Sequence, residues 1–468
     1  MKKKHVSIVM VVMFLVAFSF HNARAEGWEQ SYHAGTFDKN RNYMGGTELM
    51  FLTSHKGKLY AATSLWMDVI PLAFSNGAQV LVKESAGDAW KLDYQTGRNI
   101  KRVDNLASIT FGTDGNGNKL SQPVNLLVAG LGYYNYYFPL TIAATVAVRD
   151  DATNKWFTTD LITPDKPQYE VTVRAIGTHK DKTTGVDRVF AGAYPGGIFS
   201  GVYDAAASGQ IRWDSTPEFS GVNYVDEHDI PISDFRVMSF GECNGELYAA
   251  IKPAIFKRVD GPTPTWVRVF EYTTFEDYSP AGANSLMRAL TAIANPKGDG
   301  EVLLMTYQGV GAKIVYLDPS DNNTITTDLD LREFLKEQWG ADWEMCQKNN
   351  NDNIVAAFND MVPVTDQKTG EDLLLMGIFS PCKPDAAWYL IRHPDSSYTL
   401  HEIPYIFNLH GWPKRLQGTR TIRISPFAED NDQVLYFGGF NVGTKSGHNT
   451  AWIYSVDIDT ALGISQNQ

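Results

Sequence analysis

Hydrophobic and polar positions follow one another in a pattern that recurs along the whole chain. Its clearest form is Phe235 to Lys252, FRVMSFGECNGELYAAIK. An apolar-rich run leads into the turn Cys243-Asn244-Gly245, and Leu247-Tyr248-Ala249-Ala250-Ile251 follows. Asn-Gly between two such runs is a strong hairpin signal. Laid under this template, other segments give seven units of unequal length. They begin at Glu48 (ELMFLTSHKGKLYAAT), Asn105, Arg174, Arg236, Arg288, Asn359 and Arg423. The Asn359 unit, NDMVPVTDQKTGEDLLLMG, matches the Arg174 unit in length, down to T-G-x-D before its second run.

Two further strand-like runs follow each hairpin, as in AKIVYLD and TITTDLDL after Arg288. Four strands per unit and seven units predict an all-β, seven-bladed β-propeller, with a pair of β-sandwiches as the alternative architecture. Helical periodicity is confined mainly to residues 331–350, where the Leu331, Phe334, Leu335 spacing predicts one amphipathic helix inserted between the fifth and sixth units. The last unit has only three strands, so residues 28–37 are expected to supply its outer strand and close the ring. The G-x-LY-A-A phrase at Gly57 and Gly245 resembles exported β-propellers with loosely kelch-like or sialidase-like blades. Sialidase-type Asp boxes, WD40 dipeptides and kelch double glycines are missing, so the likeness implies a fold and no particular chemistry.

The amino terminus changes the picture of where the protein works. Lys2-Lys3-Lys4, an apolar run from Val6 to Phe20 and Ala23-Arg24-Ala25 have the form of a secretory signal peptide. Cleavage is expected after Ala25, leaving residues 26–468 as a single exported domain, periplasmic or extracellular. No Cys at that point supports a lipoprotein anchor, and no later apolar stretch is long enough to cross a bilayer. The whole chain carries 41 Lys and Arg against 53 Asp and Glu. The leader takes four of the basic residues, so the mature balance falls from -12 to -16. Nucleic acid and anionic membranes are poor partners for such a chain. Cys243, Cys346 and Cys382 permit one disulfide and leave one thiol over, and their spacing suits no zinc site.

Candidate chemistry comes from aligning the units. In a propeller the first strand of each blade lines the central channel, so its first residue sits at one mouth. That position reads Glu48, Asn105, Arg174, Arg236, Arg288, Asn359 and Arg423. Four arginines against one glutamate make a ring of charge +3, suited to a carboxylate, sulfate or phosphate. Channel solvent by itself also accommodates arginine, and explains the polarity but not the sign. Loops expected on the same face hold Trp66, Met67 and Asp68, then Tyr133, Tyr134, Tyr136, Tyr137 and Phe138, then Asp226-Glu227-His228-Asp229, then His410, Trp412, Lys414 and Arg415. Aromatic faces such as Tyr134 and Trp412 beside hydrogen-bonding groups suit sugar rings; the tyrosines serve equally as packing over a blade edge. Glu48, His228 and His410 are the candidate proton-transfer groups, although a loop histidine is equally a solvated surface residue. Asp226, Glu227 and Asp229 could bind Ca²⁺ through oxygen ligands, or form only a solvated acidic loop. Asp114-Gly115-Asn116-Gly117-Asn118 begins like a calcium loop but lacks its later ligands and reads as a turn. Three functions stay open at this point: capture of an acidic sugar or small carboxylate, a hydrolase or lyase acting on an acidic glycan or ester at the same face, and a protein-interaction scaffold.

Overall fold

A computed structural model describes residues 27–65, 77–135, 138–220, 236–275, 285–309, 311–347, 354–382, 386–404, 416–441 and 449–464. The architecture is all-β. Unit one runs Glu48–His55, Lys58–Ser64, Gln79–Lys83 and Lys91–Gln95, each strand antiparallel to the next. The same four-step meander starts again at Arg102–Thr113, Glu170–Lys180, Val237–Cys243 and Leu286–Ala294. A sixth unit is built on Asp372–Phe379 and a seventh on Gly418–Ile424. The seventh has three strands of its own, ending in Trp452–Asp457, against which Glu29–His33 pairs antiparallel.

Local chemistry sets these hairpins. Asn244 and Gly245 both have positive φ, 51° and 70°, as do Lys56 and Gly57 at 47° and 72°. Positive φ at both central residues gives the turn a twist that matches its flanking strands. Asp114 Oδ1 accepts from the backbone N–H of Asn116 and Asn118 at 2.9 Å, and Oδ2 from Asn118 Nδ2 at 2.9 Å. The segment is therefore a side-chain-stabilised turn, as its sequence predicts. Residues 331–347 form two helices, Leu331–Trp339 and Ala341–Gln347, broken at Gly340. The Asp330 carboxylate caps the first by accepting from Glu333 N–H. Leu331, Leu335 and Trp339 are its buried stripe, with Phe334 packed beside them.

Each unit is apolar on both faces, so the core lies between neighbouring units. Leu127, Ala129 and Ala147 of unit two pack on Phe51, Tyr60 and Val80 of unit one. Trp28 completes the interface between units six and seven, with its ring centroid 5.0 Å from that of Phe437. Buried ion pairs fasten units in twos, a period absent from the sequence alignment. Arg149 Nε and Nη2 hold the two oxygens of Asp93 at 3.0 and 3.1 Å. Arg258 grips Glu218 through the same two nitrogens at 2.9 and 3.2 Å, and Arg392 grips Asp328 at 2.7 and 3.2 Å. In each case a third strand supplies the arginine and the outer edge of the preceding unit supplies the acid. Forks of this kind combine charge with fixed geometry. Cys382 is disulfide-bonded and Cys243 is the buried leftover thiol. Among the described residues no helix is long and apolar enough to cross a membrane.

Arg258 is fully buried and also reaches Asp181 at 3.0 Å. Arg258→Ala removes the counter-charge shared by three carboxylates, Asp181, Glu218 and Asp260, and should cost about 3–5 kcal/mol of stability, read by urea unfolding. Desolvation raises the Asp181 carboxyl, but the Thr184 N–H and the Arg258 guanidinium outweigh it and hold the group down at about 2. A depressed acid stabilises the fold above its ordinary value near 3.8 and loses that contribution as pH falls toward 2. The thermal midpoint of Asp181→Asn should therefore fall less steeply than wild type between pH 4 and pH 2.

Candidate functional site

First strands of the units share an irregularity near their start. Pairing with the second strand slips between Leu49 and Phe51, Val103 and Asn105, Val173 and Ala175, Val237 and Ser239, Arg288 and Thr291, and Thr419 and Thr421. A bulge inserts an unpaired residue and re-aims its side chain. The residues set free in this way include Asp104, Arg174 and Arg420. In unit six the first strand is interrupted altogether, as Val355–Ala356 and Val362–Thr365.

The bulges bring together five arginines: Arg102, Arg174, Arg236, Arg288 and Arg420. Three have carboxylate partners. Arg102 Nε lies 2.8 Å from Asp104 Oδ1, and Arg236 Nη2 donates to Glu170 Oε2 at 2.8 Å. Arg420 Nη1 is 3.4 Å from both oxygens of Glu48. Asp104 is wholly buried, and a Cβ at Gly132 would come within 2.1 Å of its Oδ2, so glycine makes the room for this carboxylate. Arg288 has neutral partners: Nε donates to Gln308 Oε1 at 2.6 Å and Nη1 to the Phe358 carbonyl at 3.2 Å. The Phe358 ring floors the cluster, 4.8 Å from the Arg420 guanidinium and 5.8 Å from that of Arg288. Arg236 stacks over Tyr194 at 5.2 Å.

Arg174 differs from the rest. Its side chain is half-buried, and its guanidinium makes no hydrogen bond or ion pair among the described residues. Desolvation, followed by the positive charges of Arg102, Arg236 and Arg420, pushes its pKa down to about 9. The same causes hold Arg288 well below its ordinary value, burial first and then Arg174, Arg420, Arg236 and Arg102. Five arginines against Glu48, Asp104 and Glu170 leave two positive charges unbalanced among the described residues. Such a cluster lowers its free energy by taking in an anion.

The seven residues aligned as one ring divide between two levels. Arg174, Arg236, Arg288 and Glu48 belong to the cluster. Arg423 stands further along its strand, where Nε donates to the Leu52 carbonyl at 2.9 Å and Nη2 pairs with Asp360. Asn105 and Asn359 share that lower level and, with Arg423, line a cavity of about 400 Å³. Arg423 is thus no part of the arginine cluster; Arg420 takes its place and Arg102 joins. The displacement follows from the bulges, which add residues that a register of alternating positions does not count. Arg102 and Arg420 were visible as arginines three residues upstream of Asn105 and Arg423. Nothing in the spacing marked Phe358, Tyr194, Glu170 or Asp360.

Tyr134 lies opposite Glu170 across neighbouring strands, beside the cluster. Tyr133 is buried and donates to the Phe138 carbonyl, which makes it a packing residue. His228, His410 and Trp412, the acidic Asp226, Glu227 and Asp229, and Trp66, Tyr136 and Tyr137 lie outside the described residues. Among those described, no three His, Cys, Asp or Glu side chains gather as metal ligands.

No protein-family model and no curated protein matches the chain. Solved structures do. An ancestral GH74 enzyme superposes with a TM-score of 0.51 at 10% identity, covering 92% of this chain and 51% of its own. The chain thus spans about half the length of that enzyme. Trypanosoma rangeli sialidase in complex with the inhibitor DANA follows at a TM-score of 0.41 and 12% identity, over 93% of this chain and 60% of its own. The intramolecular trans-sialidase from Ruminococcus gnavus in complex with oseltamivir carboxylate gives 0.39 and 11%, over 92% and 97%. At such identities the likeness is one of fold: an all-β chain of the β-propeller kind.

Proposed function

We propose that the protein is an exported binding module, one seven-bladed propeller closed by its N-terminal strand, that captures a small carboxylate or acidic sugar at the arginine mouth. One observation carries this reading. Among the described residues Arg174 holds a half-buried guanidinium without a hydrogen-bond or ion-pair partner, beside four other arginines and three carboxylates. A guanidinium fork is shaped for two oxygens of a carboxylate, sulfate or phosphate. An anion there removes the mutual repulsion of the cluster, so binding gains from strain that the free protein already carries. Tyr134 and Tyr194 stand at the edge of the cluster, where an aromatic face suits a sugar ring. Capture without turnover is favoured over hydrolysis or elimination because Glu48 is buried against Arg420, with both its oxygens so engaged. The work of Glu48 is to offset one arginine. A protein-interaction scaffold would leave the unbalanced charge without a role.

Thermal-shift measurements on residues 26–468 test the site directly, with uronic acids, sialic acid, sulfated sugars, phosphate and Ca²⁺ as ligands. An anion at a hundred times its dissociation constant should stabilise wild type by about 2.7 kcal/mol and Arg174→Ala far less. Equal shifts in both proteins, or none with any anion, would remove the arginine mouth as the binding site. Proton linkage gives a second check. Arg174 must be charged to bind, and burial with the neighbouring arginines lowers its pKa toward about 9. Anion affinity by titration calorimetry should therefore hold steady at neutral pH and weaken in the alkaline range.

A further inference from the structure

The interruption of the first strand in unit six divides the channel. Between Val355–Ala356 and Val362–Thr365 the chain turns through Ala357 at φ 43°, and its next three residues cross the channel. Phe358 lies under Arg420 and Arg288. Asn359 Nδ2 reaches the Met50 carbonyl of unit one, and Asp360 turns the other way to meet Arg423. The arginine mouth is on one side of this bar and the 400 Å³ cavity on the other, lined by first strands of units one, two, three, four and seven and by the bar itself. Ser54 lines the cavity six residues along its strand from Glu48, roughly 20 Å at the usual rise. None of the five clustered arginines borders it.

We propose that this lower compartment is a second binding site, for a neutral, hydroxyl-rich small molecule of monosaccharide size. Among the described residues its charged lining groups are Asp360 and Arg423, and they neutralise each other. A net charge on the ligand would be attracted by one of them and repelled by the other, so charge gains little there. Hydrogen-bonding capacity sets the rest. Asp360 spends Oδ2 on Arg423 and keeps Oδ1. Asn105 spends its amide nitrogen on the Arg174 carbonyl at 3.3 Å, and Asn359 spends its own on Met50, so each keeps Oδ1. Arg423 uses Nε and Nη2 and keeps Nη1. Among the described residues these side chains thus keep three acceptor oxygens, the Nη1 of Arg423 and a second N–H on each of the two amides, beside the hydroxyls of Thr53, Ser54, Ser108 and Ser239. Hydroxyl groups, each able to donate and accept, fit that balance better than ammonium or carboxylate groups do. Phe51 and Phe240 also line the cavity, and apolar surface of this kind suits the C–H faces of a sugar ring or cyclic polyol. The volume stands near the lower end of the range for small-ligand pockets, about 300–1,000 Å³. Burial raises the Asp360 carboxyl above its ordinary value.

This site stands independently of anion capture above the bar, and the test separates the two. Saturation-transfer NMR would be recorded on residues 26–468 with D-glucose, D-galactose, N-acetyl-D-glucosamine and myo-inositol. The variants are Arg174→Ala at the mouth, and Ala107→Phe and Asp360→Ala in the cavity, each checked for cooperative unfolding. At least one neutral compound should show transfer in wild type and in Arg174→Ala, reduced fivefold or more by Ala107→Phe and by Asp360→Ala. Ala107→Phe fills volume without touching the ion pair, so it decides the matter if Asp360→Ala fails to fold. No transfer from any of the four compounds overturns the proposal. Transfer abolished by Arg174→Ala and kept in Ala107→Phe also overturns it, by assigning the compound to the mouth.

Discussion

Every unit of this protein is a sheet with two apolar faces, and neither face can be left in water. That constraint places sheet against sheet, puts the core between units and drives polar side chains to strand ends. Burying a Val, Leu, Ile or Phe side chain contributes about 1.5–3 kcal/mol, and the interfaces hold many of them, Phe51, Tyr60 and Leu127 in one and Phe437, Tyr389 and Trp28 in another. Charge enters this interior only where it is answered. The Arg149–Asp93, Arg258–Glu218 and Arg392–Asp328 forks fasten units in twos with the same pair of nitrogens each time.

The arginine mouth departs from that economy. Bulges near the start of the first strands turn Arg174 and Arg420 out of the pleat and bring them up to Arg102, Arg236 and Arg288. Glu48, Asp104 and Glu170 answer three of the five, and Phe358 gives Arg288 and Arg420 an aromatic face. Among the described residues Arg174 is left over. Groups with perturbed ionisation gather at functional sites, and that asymmetry sets this end of the molecule apart from the balanced pairs elsewhere.

Below it the bar formed by Phe358, Asn359 and Asp360 gives one short segment three tasks: a floor for the arginines, a bridge to unit one and an acid for Arg423. The two compartments consequently have opposite characters. The upper is positively charged and short of acceptors; the lower is neutral and richer in them.

Alternation of apolar and polar residues, with Asn-Gly and Lys-Gly turns at fixed places, determined the all-β class and the four-strand meander from sequence alone. Strand and turn preferences are local, and a period of two survives in one dimension. Of the aligned polar residues, Arg174, Arg236, Arg288 and Glu48 come together in the structure. Their company was decided only in three dimensions. A bulge shifts register without leaving a mark in composition, so Arg102 and Arg420 were passed over and Arg423 was placed one level too high. The pairing of units in twos depends on side chains from separate meanders meeting across an interface, which no single unit contains. The bar across the channel depends on a strand that stops, and its sequence, VAAFNDMVPV, reads as readily as one continuous strand. Hydrophobic periodicity encodes which face is buried; which charges face one another is fixed only when the sheets are brought together.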